Sequence, residues 1–274
     1  MTSSASLQPV GAFDSGVGGL TVVREMRSLL PAEDILYLGD TARVPYGNKS
    51  PETIIRYSRE IMAYLRGHGV KAMVVACNTA SAHALSILQG EADIPVIGVI
   101  APGVEAALAA TRNGRIGVIG TAGTIQSGAY QDLLRQLRAE VVITAVAAPL
   151  LVSLVEEDWL SHPATQLILA EYFAPMTAAR VDTVVLACTH YPLLKSLAQQ
   201  VLGPEVVLVD SAQNAAAALS RQLEQAGLSR PTGSRPGQTT IRSTDAPAQF
   251  LRLAERFLGE RIASIQQVSV EART

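Results

Sequence analysis

The chain has 274 residues, of which 48% are hydrophobic and 17% charged, with a formal net charge of -2. That length buries a substantial core in one large domain or two ordinary ones, and the near-neutral charge offers no polyanion-binding surface, which excludes nucleic acid as a main partner. The opening MTSSASLQPV lacks the basic and apolar parts of a secretory signal, no stretch approaches the roughly 20 apolar residues of a membrane span, and two cysteines are too few for a secreted disulfide scaffold, so a cytoplasmic protein with free thiols is expected.

Taken in chain order, short β-branched runs predict strands over 10–13, 35–38, 73–76, 96–99, 115–119, 141–145, 183–186 and 206–209. Helical patterns lie between them. Over 51–66, Ile54, Ile55, Ser58, Ile61, Met62 and Leu65 share one helical face, with Ser50 as N-cap and Pro51 at the first helical position. This alternation predicts an α/β fold with parallel-type sheets flanked by helices. After a Gly/Pro/Ser-rich loop, GLSRPTGSRPGQ at 227–238, a final strand-helix-strand pattern ends near Val270.

A weak internal repeat organises these elements. Glycine-rich loops follow an apolar strand in each half, AFDSGVGGLT from Ala12 and VIGTAGTIQSG from Val118, and each is followed at similar separation by a strand that runs into a cysteine. The cysteine segments are VVACNTASAHAL at 74–85 and VVLACTHYPLL at 184–194. Two similar, pseudo-twofold-related α/β domains are therefore expected, 1–100 together with 210–274 forming the first and 101–209 the second, with the strand C-termini of both meeting at a cleft.

Cys77 and Cys188 allow several readings. Each is a small apolar side chain that a core can absorb, the pair is a formal disulfide candidate, and Cys188 with His190 nearby resembles a nucleophile with its base. Their common position at a strand end before a helix, with Asn78 and Thr79 or Thr189 available as caps, favours a thiolate through the helix dipole. Two such thiols on opposite walls of one cleft suit an acid and a base acting on opposite faces of one carbon. Pyridoxal phosphate would need a lysine, but Lys49 lies in a loop, Lys71 precedes a strand and Lys195 has no phosphate-binding glycine pattern beside it. GxGxxG and GxxxxGK[ST] are absent and no cysteine or histidine cluster has metal-ligand spacing, so no cofactor and no metal are expected.

FDSGVGGLTV, YLGDTARVPYG, ACNTASAHAL, GTAGTIQSGAY, LVEED and LACTHYPLL, six motifs in order, resemble the glutamate racemases of the cofactor-independent amino-acid racemase group, and the tail STDAPAQFLRLAERFLG is also similar to that family's end. Small departures are Ser81, where threonine is commoner, and Ala187, where glycine often stands. The resemblance implies that Cys77 and Cys188 are the catalytic acid and base, the Cys188 thiolate deprotonating L-glutamate and the Cys77 thiol reprotonating the other face. It also implies that Asp14 assists Cys77 and that His190 and Glu156 assist Cys188. Asp14 is alternatively a cap for the helix starting near Gly18, His190 a structural donor, and Glu156 a surface carboxylate.

Substrate contacts are expected from Ser15, Asn78, Thr79, Thr121, Thr124 and Thr189, with Asp14 and His190 alongside, toward the α-amino and α-carboxylate groups. By the resemblance, the loop at Pro45, Tyr46 and Gly47 holds the distal carboxylate through backbone N–H groups; a simple turn is its alternative. Thr189-His190 after the second cysteine is also similar to glutamate racemases, where aspartate and hydantoin relatives tend to carry Thr-Glu. The small-molecule substrate implied is L- or D-glutamate, supplied to peptidoglycan synthesis, and the oligomer implied is a homodimer. Competing readings are an aspartate or hydantoin racemase, or a solute-binding module without catalysis.

Overall fold

The computed structural model describes residues 4–231, 233–245 and 248–270. Parts of the opening segment, of the GLSRPTGSRPGQ loop (Thr232) and of the tail motif (Ala246, Pro247) lie outside the described residues. The chain divides into two compact units, Met1–Val99 with Ala215–Thr274, and Ile100–Asn214.

In the first unit β1 (Val10–Asp14), α1 (Leu20–Leu29), β2 (Ile35–Gly39), α2 (Pro51–Gly67), β3 (Ala72–Val75), α3 (Asn78–Glu91) and β4 (Val96–Gly98) alternate as the patterning predicts. The second unit contains α4 (Ile100–Ala110), β5 (Arg115–Gly120), α5 (Ala122–Gln126), α6 (Ala129–Leu137), β6 (Val142–Ala147), α7 (Leu150–Glu156), α8 (Pro163–Ala178), β7 (Thr183–Ala187), α9 (Lys195–Leu202) and β8 (Val207–Asp210). Helix α10 (Ser211–Gln225) carries the chain back to the first unit, where β9 (Thr239–Ser243), α11 (Ala248–Leu258) and β10 (Gln266–Gln267) complete it.

Every residue of β1, β2 and β3 is buried. Helices cover both faces of such a parallel sheet, so its strands read as continuous apolar runs rather than alternating ones. Helix α2 forms as its sequence dictates: the Thr53 N–H donates to Ser50 Oγ at 3.3 Å, Pro51 starts the helix, and Ile54, Ser58, Ile61, Met62 and Leu65 are buried. Ile55 is only partly buried at the edge of that core. Fully burying each aliphatic side chain of this stripe contributes about 1.5–3 kcal/mol.

Boundaries differ by a residue or two from the sequence reading. Strand β3 ends at Val75, leaving Ala76 to lead into Cys77, and β6 runs on to Ala147.

The repeat is visible in the topology. The sheets have the orders β10-β9-β2-β1-β3-β4 and β6-β5-β7-β8, all parallel, so β2-β1-β3-β4 in one unit corresponds to β6-β5-β7-β8 in the other. In each, the order reverses between the first and third strands. Connections there leave in opposite directions and open a crevice beyond the strand C-termini, which is where open α/β sheets bind ligands. The chain reaches Ser15 after β1 and Cys77 after β3, and Thr121 after β5 and Cys188 after β7.

A buried ion pair fastens the opposite end of the first sheet. Lys71, just before β3, reaches Glu33 with both side chains almost fully buried, and its Nζ also donates to the Ser6 carbonyl at 2.7 Å. The Arg230 N–H donates to Glu33 Oε1 at 2.8 Å, so the same carboxylate anchors the loop that brings the chain back to β9.

Candidate active site

At the first switch point, parallel pairing of β1 with β3 sets Phe13 beside Val75, and the following residues bring Ser15 level with Cys77. The Cys77 Sγ and Ser15 Oγ lie 3.9 Å apart. Cys77 is itself the N-cap of α3, its sulfur accepting from the Ala80 N–H at 3.5 Å. Asn78 and Thr79, read from sequence as possible caps, are instead the first helical residues, both buried. The reason is that β3 ends early enough for Cys77 to occupy the half-in position whose side chain faces the free helical N–H groups.

Burial pushes the Cys77 thiol up, the neighbouring Asp14 carboxylate pushes it further, and the hydrogen bonds from Ala80 and Ser15 only partly offset them, leaving its pKa at about 12. Cys77 is a thiol at neutral pH and has a proton to give. Asp14, 1% exposed, is not the N-cap residue of α1, which is Gly19, and Asp14 Oδ2 accepts from the Gly16 N–H at 3.0 Å. A Cβ on Gly19 would lie 2.6 Å from that of Asp14, so only glycine lets α1 start this close to the carboxylate.

At the second switch point, β5 pairs with β7 so that Gly120 lies beside Ala187, which makes Thr121 and Cys188 neighbours in register. Thr121 caps α5, its Oγ1 accepting from the Thr124 N–H at 3.2 Å and lying 2.9 Å from Thr124 Oγ1. Thr124 is fully buried, while Thr121 remains half-buried. No α-helix begins at Cys188, contrary to the sequence expectation. A 3-10 turn over Tyr191–Leu194 intervenes before α9: Pro192 has no N–H to donate to the Cys188 carbonyl, which accepts instead from the Tyr191 N–H at 3.2 Å. A helix N-terminus therefore stands at Cys77 and not at Cys188, and at Cys77 burial and the Asp14 carboxylate outweigh its pull toward a thiolate.

Side chains take over at Cys188. His190 Nδ1 lies 4.0 Å from the Cys188 sulfur and 3.5 Å from Thr189 Oγ1, and His190 Nε2 lies 2.9 Å from Glu156 Oε1 at the end of α7. Glu156 is thus no isolated surface carboxylate, although its side chain is 42% exposed. Burial opposes charge on the His190 ring, but hydrogen bonding to the Cys188 sulfur and to Glu156 outweighs it and pushes the pKa up to about 10. His190 is therefore an imidazolium at neutral pH, facing the sulfur with positive charge.

A pH dependence follows from the His190 shift. Its folded value lies above the unfolded one of about 6.5, so the stability supplied by the charged ring is complete below about pH 6.5 and is lost as pH rises through about 10. The stability difference between the wild type and His190→Asn, measured by urea denaturation, is expected to be largest near about pH 6 and to shrink towards about pH 10. A difference that does not change with pH would mean that the ring is not charged.

Tyr46 opens the 3-10 turn Tyr46–Asn48, which packs on α3, and its buried ring belongs to the same cluster as Cys77. Its phenol does not face outward. Burial and then Asp40 push the Tyr46 phenol far above its usual value, and it donates to Asp40 Oδ2. What the loop presents is its backbone, at half-buried Gly47. Three residues of the first centre that sequence reasoning passed over are Tyr37, Asp40 and Arg43. The Tyr37 hydroxyl donates to the Gly16 carbonyl at 2.7 Å, and Asp40 and Arg43 hold the Tyr46 loop. All three lie within the YLGDTARVPYG motif, so the signal was present as a motif without an assigned role.

Fold and site define a class of protein: a repeated parallel α/β enzyme with a cysteine at the switch point of each sheet, one held as a thiol and one facing an imidazolium. The model of the family described as Asp/Glu/Hydantoin racemase matches residues 18–219. This chain belongs to that family. It is 50% identical over 263 residues to the glutamate racemase of Geobacter metallireducens, covering 96% of this chain and 97% of that one. Among solved structures it is similar to a glutamate racemase isoform from Bacillus anthracis, with a TM-score of 0.91 and 40% identity over 96% of this chain and 97% of the other. It is also similar to the glutamate racemase of Francisella tularensis in complex with D-glutamate, with a TM-score of 0.90 and 37% identity over 97% and 99%.

Proposed function

We infer that this chain interconverts L- and D-glutamate by two-thiol proton transfer, without an organic cofactor or metal. The observation that carries the chemistry is the electrostatic difference between the thiol centres. Cys77 is held protonated beside Asp14, whereas Cys188 faces a charged His190. From L-glutamate, the Cys188 thiolate takes the α-proton, and the Cα–H electron pair passes into the carboxylate as an enediolate. Cys77 then gives its S–H proton to the opposite face of Cα, leaving the D-enantiomer, Cys188 as thiol and Cys77 as thiolate. D-glutamate runs the sequence backwards. Asp14 assists at Cys77, and His190, held by Glu156, assists at Cys188.

Ser15, Asn78, Thr79, Thr121, Thr124 and Thr189 line the two switch points and offer hydroxyl, amide and N–H groups to the amino and α-carboxylate groups. The distal carboxylate falls to the backbone of Tyr46 and Gly47. The Geobacter relative is a glutamate racemase at high identity, and the Francisella structure holds D-glutamate, which supports glutamate over aspartate. The product supplies D-glutamate for peptidoglycan precursors. A reducing, cytoplasmic setting suits a mechanism that needs both thiols free, and a homodimer is the expected assembly.

The test is racemisation of L-glutamate by purified protein in D₂O, followed by chiral analysis and NMR after dialysis against chelator and a carbonyl-trapping reagent. Inversion with deuterium at Cα is expected to persist. Activity restored only by pyridoxal phosphate would overturn the cofactor-free reading, and no turnover at all would leave a binding module. L-aspartate, one methylene shorter, leaves the distal N–H groups without their partner and is expected to be about ten- to a hundredfold poorer in kcat/KM. Equal values or a preference for aspartate would reassign the substrate.

A further inference from the structure

Around the loop that carries Tyr46 and Gly47, four side chains close a ring of contacts. The Arg43 Nε donates to both Asp40 oxygens at 2.9 and 2.8 Å, and its Nη1 pairs with Glu60 on α2. Its guanidinium lies 4.0 Å from the centre of the Tyr57 ring, and Tyr57 lies 5.8 Å from the ring of Tyr46. Tyr46 returns to the start by donating its hydroxyl to Asp40 Oδ2. Asp40 is fully buried, and besides these bonds its Oδ1 accepts from Thr244 Oγ1 at 3.0 Å while its N–H donates to the Asp14 carbonyl at 3.0 Å.

We propose that Arg43 is a positioning residue for substrate recognition, clamping the loop through Asp40, Glu60 and Tyr57 so that the Tyr46–Gly47 backbone is set for the distal carboxylate. The inference rests on the glutamate reading given above. Arg43 supplies what no other side chain does at once: a planar fork that engages a carboxylate on one edge and another through Nη1, and a flat face that stacks on an aromatic ring. Lysine would keep the charge and lose both geometries. The Tyr46 side chain is fixed at both ends, ring and hydroxyl, so the direction of the adjoining backbone follows from the clamp. The clamp touches no reacting atom; it acts on binding of the far end of the substrate.

The test compares wild type with R43M, R43K, Y57F and Y57L, using L-glutamate and L-aspartate on folded, purified protein. R43M and R43K are expected to raise KM for L-glutamate about tenfold with kcat within about threefold, and to lower the preference for glutamate over aspartate. Y57F keeps the ring and is expected to behave as wild type, whereas Y57L raises KM in the same direction. If R43M does not fold, Y57L, which leaves both ion pairs in place, decides by the same readouts. KM and substrate preference unchanged in the folded variants would overturn the clamp, as would a loss confined to kcat. Wild type that does not racemise glutamate would instead overturn the functional reading.

Discussion

Replacing Cys77 by alanine is expected to abolish racemisation, with a loss on the order of 10⁴-fold, because in the proposed mechanism this thiol gives the proton to the second face of Cα. Cys188→Ala is expected to do the same, and the double variant to be no worse than either single one, since inversion needs both proton carriers in one turnover. Serine separates chemistry from structure at Cys77. The Cys77 sulfur caps α3 through the Ala80 N–H, so alanine also removes a cap, whereas serine replaces it with a better one. Cys77→Ser is therefore expected to be more stable than Cys77→Ala by about 0.5–2 kcal/mol in urea denaturation, yet equally inactive, because an alcohol holds its proton too tightly to shuttle it. Turnover within tenfold of wild type in any single cysteine variant would refute the two-thiol mechanism.

The largest effect on stability is expected far from the thiols. Lys71→Met removes the nearer cation from a pair whose side chains are 0% and 4% exposed, leaving Glu33 buried with the anchoring N–H of Arg230 and its guanidinium 4.0 Å away but without its ammonium partner. Breaking a buried pair from one side costs about 3–5 kcal/mol, so a drop in thermal midpoint of about 10 °C is expected. Replacing both partners together, Lys71→Met with Glu33→Leu, is expected to recover much of that loss, because the desolvation cost of two ions disappears along with their attraction. Chemical denaturation of the three variants checks this. A single variant within about 1 kcal/mol of wild type would show that water or a neighbouring group already relieves the buried charge.

Strands and the first long helix were legible because their causes are local. Continuous burial of β1, β2 and β3 leaves apolar runs in the sequence, and the Ser50-Pro51 start with its stripe from Ile54 to Leu65 is written in consecutive residues. The internal repeat and the position of each cysteine after a strand were legible for the same reason. Local reading failed where one residue overrode a pattern: Pro192 delayed the helix after Cys188, and an early end to β3 turned Cys77 from a capped residue into the cap.

By itself, then, the sequence determined where most strands and helices lie, that the plan occurs twice, and that each copy carries a thiol after its third strand, since these depend on periodicity and neighbours along the chain. Only the tertiary structure decided which groups surround each thiol. Strand register brings Ser15 level with Cys77, the end of α7 delivers Glu156 to His190, and the Asp40, Arg43, Tyr57 and Tyr46 ring closes across β2, a loop and α2. A pKa or a clamp is set by which charges and dipoles lie within a few ångströms in space, and residues distant in the chain supply those.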